Sequence, residues 1–272
     1  MNDKHGKHKH KKQFGQNFLR ERAFLDRIID VSNPQKNETI LEIGPGDGAL
    51  TELMLEKAKE VICVEIDRDL EPLLRKKFAG KENFNLLMGD ILEIDFKEKI
   101  NKKVRVIANI PYYITSPIIN KLIENREFVD EIYIMVQKEV AERVTSKPGS
   151  SSCSILTMAV KYFAESEYLF TIPKEAFEPA PKVDSAFMKI IPRKDNCYEK
   201  EVKEELFFKY VKAGFASKRK NIVNNFSAMG HNKNELKKIF EENGIDINLR
   251  AEDLSVEEFI KIIRLLEPGE IV

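Results

Sequence analysis

The sequence predicts an α/β fold, a doubly wound and mostly parallel seven-stranded sheet followed by a small all-helical C-terminal domain. Three observations lead to this prediction. Between residues 39 and 137, apolar β-rich runs alternate with amphipathic helical segments. Two further apolar runs flank a proline-rich connection, and beyond residue 193 only helical periodicity remains. Strands that alternate with helices are joined by right-handed crossovers, so they pair in parallel.

The elements follow in chain order. Strands are predicted in TILEIG, EVICVEID, NFNLLMGDIL, VRVIANIP and EIYIMVQ, and helices in ALTELMLEKA, LEPLLRKKFA and SPIINKLIEN. SILTMAVKYFA is typical of a helix, while SEYLFTIP and SAFMKIIPR predict a closing antiparallel pair of strands. Three C-terminal segments have helical spacing: ELFFKYVKAGFA, NELKKIFEENG and SVEEFIKIIRLLE. The last begins with a capping box formed by Ser255 and Glu258.

These patterns divide the chain into a basic disordered arm over residues 1–12, an α/β domain over 13–197 and a helical domain over 198–272, with KDNCYEK as the linker. The arm holds five lysines and one acid, and removing them from totals of 45 and 45 leaves 40 basic residues against 44 acidic ones. The body is therefore mildly acidic. We expect any polyanionic partner to be held by local basic patches, of which the candidates are Lys218, Arg219, Lys220, Lys182, Arg143 and Lys147.

Composition excludes several classes of protein. No apolar run is long enough to span a bilayer and none has the form of a signal peptide, so we expect a cytoplasmic protein without a membrane partner. Three scattered cysteines predict neither a disulfide framework nor a metal site. Cys63 and Cys153 are predicted to be small packing residues. Nothing in the sequence indicates an oligomer, and a monomer is expected.

The ends of three predicted strands carry the residues of a nucleotide-like site. Gly44, Gly46 and Gly48 follow the first strand, and glycine lets backbone N–H groups approach a ligand closely. Glu65 ends the second strand, 21 residues after Gly44, where a carboxylate can accept hydrogen bonds from both ribose hydroxyls. Asp90 follows the third strand, near the expected position of an adenine amino group.

Two cofactors compete for this loop, a dinucleotide and S-adenosylmethionine. The dinucleotide fingerprint is G-x-G-x-x-G, whereas the loop here is G-P-G-D-G, with its third glycine one position early. Glu42 precedes the loop, and its carboxylate would repel a pyrophosphate but suits a sulfonium and an amino group. The loop therefore favours S-adenosylmethionine. Glu42 itself is interpreted as a residue that orders the loop.

The stretch NIPY, at the end of the strand VRVIA, forms a second candidate site. An adenine amino group is a poor nucleophile because its lone pair is delocalised into the ring. Two acceptors for its N–H groups, the Asn109 side-chain oxygen and the Ile110 carbonyl, would aim the lone pair at a methyl group. Pro111 stiffens the turn, and Tyr112 offers a face for stacking of a flipped base. Tyr113 is predicted to pack.

These motifs, together with QNFL near the N-terminus and FEPAPKVDS at residues 177–185, resemble those of the small-subunit ribosomal RNA adenine N6-dimethyltransferases. The resemblance implies a class I, Rossmann-like methyltransferase fold and the use of S-adenosylmethionine without a metal. It also implies dimethylation of two adjacent adenines in a hairpin near the 3′ end of small-subunit rRNA, within a pre-assembled subunit. The cofactor-contacting residues that it implies are Asn17, Leu19, Gly44, Glu65, Asp90 and Asn109. It assigns Phe177 as the second aromatic wall for the target base.

Several alternatives stay open at this point. The macrolide-resistance methyltransferases, which modify an adenine of large-subunit rRNA, share QNFL and NIPY, but MVQKEVAERV, GFASKRKNIVNN and RAEDLSVEEFIKI favour the small-subunit group. A ribosome-assembly factor without catalysis is a further alternative. The alternative structural roles of Asn109 and Asp90 are to cap a helix and a turn, respectively. Three interpretations of the arm, which contains His5, His8 and His10, stay open: contact with phosphate, metal binding, or no role.

Overall fold

The computed structural model describes residues 17–269, so the predicted arm over 1–12 and Gln16 of QNFL lie outside the described residues. The described chain forms two compact units that interleave along the sequence. The first contains the described residues up to Lys138 together with Tyr168–Ile190, and the second contains Glu139–Glu167 and the chain from Ile191 onward. The domain boundaries drawn from the sequence, 13–197 and 198–272, stay a prediction.

The strands within the described residues are β1 (Phe18–Leu19), β2 (Thr39–Ile43), β3 (Glu60–Glu65), β4 (Phe84–Met88), β5 (Val104–Asn109), β6 (Val129–Gln137), β7 (Ala164–Ile172), β8 (Phe177–Glu178) and β9 (Ser185–Pro192). The helices are α1 (Arg22–Ser32), α2 (Ala49–Lys57), α3 (Glu71–Lys77), α4 (Thr115–Glu124), α5 (Lys138–Val144), α6 (Ile155–Phe163), α7 (Glu204–Gly214), α8 (Ile222–Ser227), α9 (Lys233–Glu242) and α10 (Val256–Leu266). None of the helices in this part of the chain is long and apolar enough to cross a bilayer.

Seven strands form one sheet in the order β4-β3-β2-β5-β6-β9-β7. The five strands from β4 to β6 run parallel, and β9 runs antiparallel to β6. This confirms the predicted seven-stranded, mostly parallel sheet. The chain order reverses between β2 and β5, and a crevice opens at such a switch point beyond the carboxyl ends of the strands.

The central strands are buried on both faces, which is why their sequences lack polar alternation. All five residues of β2 are buried, as are Val61–Glu65 of β3. Cys63 packs in this layer and Cys153 packs in the second unit, and the structure confirms both as buried residues. Because the central strands are buried and parallel, their carboxyl ends lie together at one edge of the sheet.

The second unit is held by an aromatic cluster. The ring of Tyr162 stacks on Phe207 at a centroid distance of 4.4 Å and meets Phe163 edge-on at 4.8 Å. The structure confirms the capping box of Ser255 with Glu258 at the start of α10. KDNCYEK as a linker stays a prediction, and within it Cys197–Lys200 form a 3-10 turn whose Tyr198 is buried in the cluster.

Gly48, at the start of α2, provides a test of this packing. Its φ is +78°, and a Cβ atom there would lie 2.6 Å from the buried Phe78 ring. Gly80 has a similar φ of +79°, but a Cβ there would have nothing within 4 Å. We expect Gly48→Ala to lower the free energy of unfolding by roughly 2 to 4 kcal/mol, and Gly80→Ala by about 1 kcal/mol. Urea denaturation measures both, and equal losses would contradict the predicted clash.

Candidate active site

A cavity opens beyond the carboxyl ends of β2, β3, β4 and β5, entirely within the first unit. The predicted cofactor-contacting residues all line it: Asn17, Leu19, Gly44, Glu65, Asp90 and Asn109. Ile110, Pro111 and Tyr112 of NIPY line it as well. The structure therefore brings both sites predicted from the sequence into a single cavity.

The glycine loop, residues 44–48, is held by backbone and charged contacts. Gly44 N donates to the Val64 carbonyl at 2.9 Å, which joins the loop to β3. Lys77 Nζ, on α3, donates to the carbonyls of Asp47 at 3.2 Å and Gly48 at 3.1 Å. The loop is therefore fixed on both sides before any ligand enters.

Glu65 ends β3 with a side chain that is only 4% exposed. Its carboxylate accepts hydrogen bonds from the backbone N–H of Asp67 at 2.8 Å and of Gly46 at 3.3 Å. Burial raises the pKa of Glu65, and these two backbone donors partly oppose that effect. The carboxylate is thus held in one orientation, as a residue that accepts from ribose hydroxyls requires.

Asp90 follows β4, and its Oδ1 accepts a hydrogen bond from Leu92 N at 2.9 Å. The alternative interpretation, a cap for the turn at ILEID, is therefore realised. The side chain still lines the cavity. A carboxylate has two oxygens with several lone pairs, so the cap leaves it able to accept from a ligand.

Asn109 ends β5, and its Nδ2 donates to the Asn17 carbonyl at 3.0 Å. With the amino group engaged there, the oxygen Oδ1 is the atom of the amide that can accept from a ligand. The alternative role as a helix cap is not what the structure has, since α4 begins after Ile114 without a side-chain cap. Asn109 is therefore oriented by the N-terminal segment.

That segment, residues 17–20, forms a strap over the glycine loop. Phe18 and Leu19 pair with Glu178 and Phe177 in a two-stranded antiparallel sheet of β1 and β8. The Phe18 ring packs so closely on Gly46 that a Cβ there would lie 2.6 Å from it. The strap therefore connects FEPAPKVDS, the glycine loop and NIPY.

Arg20, directly after QNFL, joins the strap to the loop through an ion pair with Asp47. Its Nε also lies 3.6 Å from the Glu178 carboxylate, and its backbone N donates to the Ala176 carbonyl at 2.8 Å. Sequence analysis missed Arg20 and Asp47. Their separation by 27 residues carries no local signal, although Asp47 lies within the glycine loop itself.

Tyr112 and Tyr113 form a 3-10 turn at the cavity. Tyr112 is partly buried, its hydroxyl hydrogen-bonds to Ser185 Oγ, and burial raises the pKa of Tyr112. The prediction that Tyr113 packs is wrong, because its side chain is 57% exposed while still lining the cavity. A tyrosine on a short turn has only one side against the protein, and sequence pattern does not show which of the two faces outward.

Phe177 lies beside the strap, in the hydrophobic core of the first unit. It is 4% exposed and belongs to the hydrophobic core, and it does not line the cavity formed by the described residues. Its backbone pairs with Leu19, which does line the cavity. Its role as an aromatic wall stays a prediction, whereas its support of the strap is part of the structure.

The fold and the cavity define a class of protein, the class I S-adenosylmethionine-dependent methyltransferases. A glycine loop after the first parallel strand, an oriented acid ending the next and an oriented amide ending β5 surround one cavity. The chain belongs to the ribosomal RNA adenine dimethylase family, whose sequence profile matches residues 7–267.

Individual relatives agree with this assignment. The chain is 56% identical over 260 residues to the ribosomal RNA small subunit methyltransferase A of Fusobacterium nucleatum subsp. nucleatum, covering 95% of this chain and 98% of the relative. A dimethyladenosine transferase from Plasmodium falciparum has a similar structure, with a TM-score of 0.79 and 28% identity over 93% of this chain and 98% of that one. The 23S rRNA methyltransferase ErmE follows with a TM-score of 0.73 and 25% identity over 92% of this chain and 100% of its own.

The strap gives a test that concerns cofactor binding. We expect Arg20→Ala to weaken the binding of S-adenosylmethionine by roughly 1.5- to 5-fold, since a partly exposed ion pair contributes about 0.2 to 1 kcal/mol. Arg22→Ala is the matched control, because Arg22 pairs with Asp26 within α1 at 2.9 Å, away from the loop. Isothermal titration calorimetry measures both dissociation constants, and equal effects would contradict the role of the strap.

Proposed function

We propose that this protein transfers methyl groups from S-adenosylmethionine to N6 of two adjacent adenosines in a hairpin near the 3′ end of small-subunit rRNA, giving dimethyladenosines. The observation that carries the proposal is the oriented amide of Asn109 within NIPY, at the wall of the same cavity as the glycine loop. Identity of 56% to a small-subunit methyltransferase over nearly the whole chain supports small-subunit rRNA over the large-subunit alternative. We further propose a cytoplasmic monomer that acts during small-subunit biogenesis.

The chain's residues fit the cofactor. The approach of the Phe18 ring to Gly46 shows that the loop has no room for a side chain there, and Glu65 presents a buried carboxylate beside it. Asn17, Leu19, Gly44, Glu65, Asp90 and Asn109 would hold the cofactor. When bound, S-adenosylmethionine supplies an electrophilic methyl group on a sulfonium. No metal takes part in the proposed reaction.

In the proposed mechanism, the Asn109 side-chain oxygen and the Ile110 carbonyl accept the two N–H groups of the target amine. This orients the nitrogen lone pair toward the methyl group and lowers the entropic part of the barrier. Pro111 fixes the turn, with φ of −61°. Tyr112 stacks on the flipped base, and its bond to Ser185 keeps the ring in place. The basic residues Lys218, Arg219, Lys220, Lys182, Arg143 and Lys147 are candidates for contacts with phosphate.

The experiment that tests the proposal incubates the protein with labelled S-adenosylmethionine and immature small ribosomal subunits, and large subunits serve as the parallel arm. Mass mapping locates the methylated nucleotides. We expect two dimethyladenosines in small-subunit rRNA. Label confined to large subunits would support the macrolide-resistance type of activity, and label in neither would leave an assembly factor without catalysis.

Substitution of Asn109 tests the acceptor role. We expect Asn109→Ala to lower single-turnover methyl transfer by at least about 100-fold, because one of the two oriented acceptors is lost. Asn109→Asp keeps an oxygen acceptor but has no N–H for the Asn17 carbonyl, so it should also be impaired. Dissociation of labelled S-adenosylmethionine is the control measurement. Native rates in Asn109→Ala would overturn the proposed role.

Substitution of Tyr112 separates its ring from its hydroxyl. Tyr112→Ala should lower kcat/KM for RNA by roughly 5- to 150-fold, corresponding to a stacking contribution of about 1 to 3 kcal/mol. Tyr112→Phe keeps the ring and loses only the bond to Ser185, so it should retain most activity. If both variants lost the same activity, the hydroxyl and not the ring would be the important group.

A further inference from the structure

Glu42 is the penultimate residue of β2, two positions before Gly44 of the glycine loop, and it lines the cavity although it is only 2% exposed. Thr51, on α2, donates its hydroxyl to the carboxyl group. Cys63, which is paired with Glu42 across β2 and β3, donates its thiol at 3.4 Å. The two hydrogen-bond donors on this carboxyl group are therefore neutral.

Charged groups of the neighbouring elements face Glu42 at longer range. Glu65, on β3, is a second buried carboxylate at the same cavity. Lys77, on α3, is the nearby cation, but its Nζ is engaged with two loop carbonyls and lies 3.1 Å from the Glu52 carboxylate. On the β5 side, Arg105 pairs with Ile40 of β2, and its guanidinium contacts other acids.

This environment favours the protonated carboxyl group. Burial raises the pKa of Glu42 to about 7, and the negative charge of Glu65 adds to the effect. The hydrogen bonds from Thr51 and Cys63 act in the opposite direction. A positive charge placed in the cavity would stabilise the carboxylate and favour loss of the proton.

We propose that Glu42 distinguishes the cationic methyl donor from the neutral thioether product, by losing a proton when the donor binds and regaining it when the product remains. The inference rests on the proposed function, which supplies the cationic ligand. In each transfer the S–CH3 bond breaks with its electron pair going to sulfur, the N6–CH3 bond forms and N6 loses one proton to solvent. The ligand thereby loses one positive charge. Four transfers per RNA require repeated exchange of product for donor, and Glu42 would favour that exchange.

The test measures proton release by titrating the protein with S-adenosylmethionine in buffers of different ionisation enthalpy. We expect release of roughly 0.5 proton near pH 7 that depends on Glu42. Because the carboxyl group is protonated below its pKa, the dissociation constant should rise about tenfold between pH 8 and pH 6. S-adenosylhomocysteine, which lacks the sulfonium, should release fewer protons.

Two variants identify the group. Glu42→Gln has nearly the same shape and cannot ionise, so the Glu42-dependent release should vanish and the affinity should depend less on pH. Cys63→Ala removes a donor that lowers the pKa, so the midpoint of the affinity profile should move to higher pH. Thermal unfolding checks that both variants fold. If Glu42→Gln does not fold, the shift of the midpoint in Cys63→Ala still tests the inference.

The outcomes separate the inference from the function on which it rests. Equal proton release by the native protein and Glu42→Gln, or an unmoved midpoint in Cys63→Ala, would overturn the inference while leaving the methyltransferase intact. Failure of the native protein to bind S-adenosylmethionine would overturn the proposed function itself.

Discussion

The hydrogen bond from Asn109 Nδ2 to the Asn17 carbonyl is the interaction on which the arrangement of the site depends. It joins the end of a central buried strand to a segment 92 residues earlier in the chain. The bond fixes which side of the amide faces the cavity. Asn17 is the first residue of the strap, so its position depends on the contacts that hold the strap. The pairing of β1 with β8 and the packing of Phe18 on Gly46 hold that strap in place. The same strap therefore orients the Asn109 amide and covers the glycine loop.

A second constraint is the concentration of poorly solvated negative charge at the cavity. Glu42 is the penultimate residue of β2, and Glu65 ends the neighbouring parallel strand β3. Both are almost fully buried, and burial raises the pKa of each. Burial of two acids costs free energy unless a ligand or a proton compensates. A pyrophosphate would increase that cost, whereas a sulfonium and an amino group reduce it. The electrostatics therefore agree with the choice that the loop spacing G-P-G-D-G already favoured.

The parts that sequence predicts well are those with a local signal. The parallel strands are apolar and β-rich, and the acids and glycines of the site lie where those runs stop, as with Glu65 at the end of VICVE. Sequence analysis missed helix α1. The residue at its N-cap is Glu21, which makes no side-chain capping hydrogen bond, so the sequence carries no start signal for this helix. The two-residue strands β1 and β8 pair across about 160 residues, a relation that local pattern cannot contain. The exposure of Tyr113 and the burial of Tyr198 depend on tertiary packing in the same way.

At the opposite end of the sheet, the buried charge is that of a cation with acidic partners. Arg105, near the start of β5, is paired with Glu38 at 2.7 Å and Glu131 at 3.0 Å and also donates to the carbonyls of Ser32 and Asn33. This network connects α1 to β5 and β6, and it pairs the largely buried Arg105 guanidinium with two partly exposed carboxylates. Compensated charge at the amino ends of the strands stabilises the scaffold. At the carboxyl ends, Glu42 and Glu65 accept hydrogen bonds from neutral donors, so a bound cation or a proton can compensate their remaining charge.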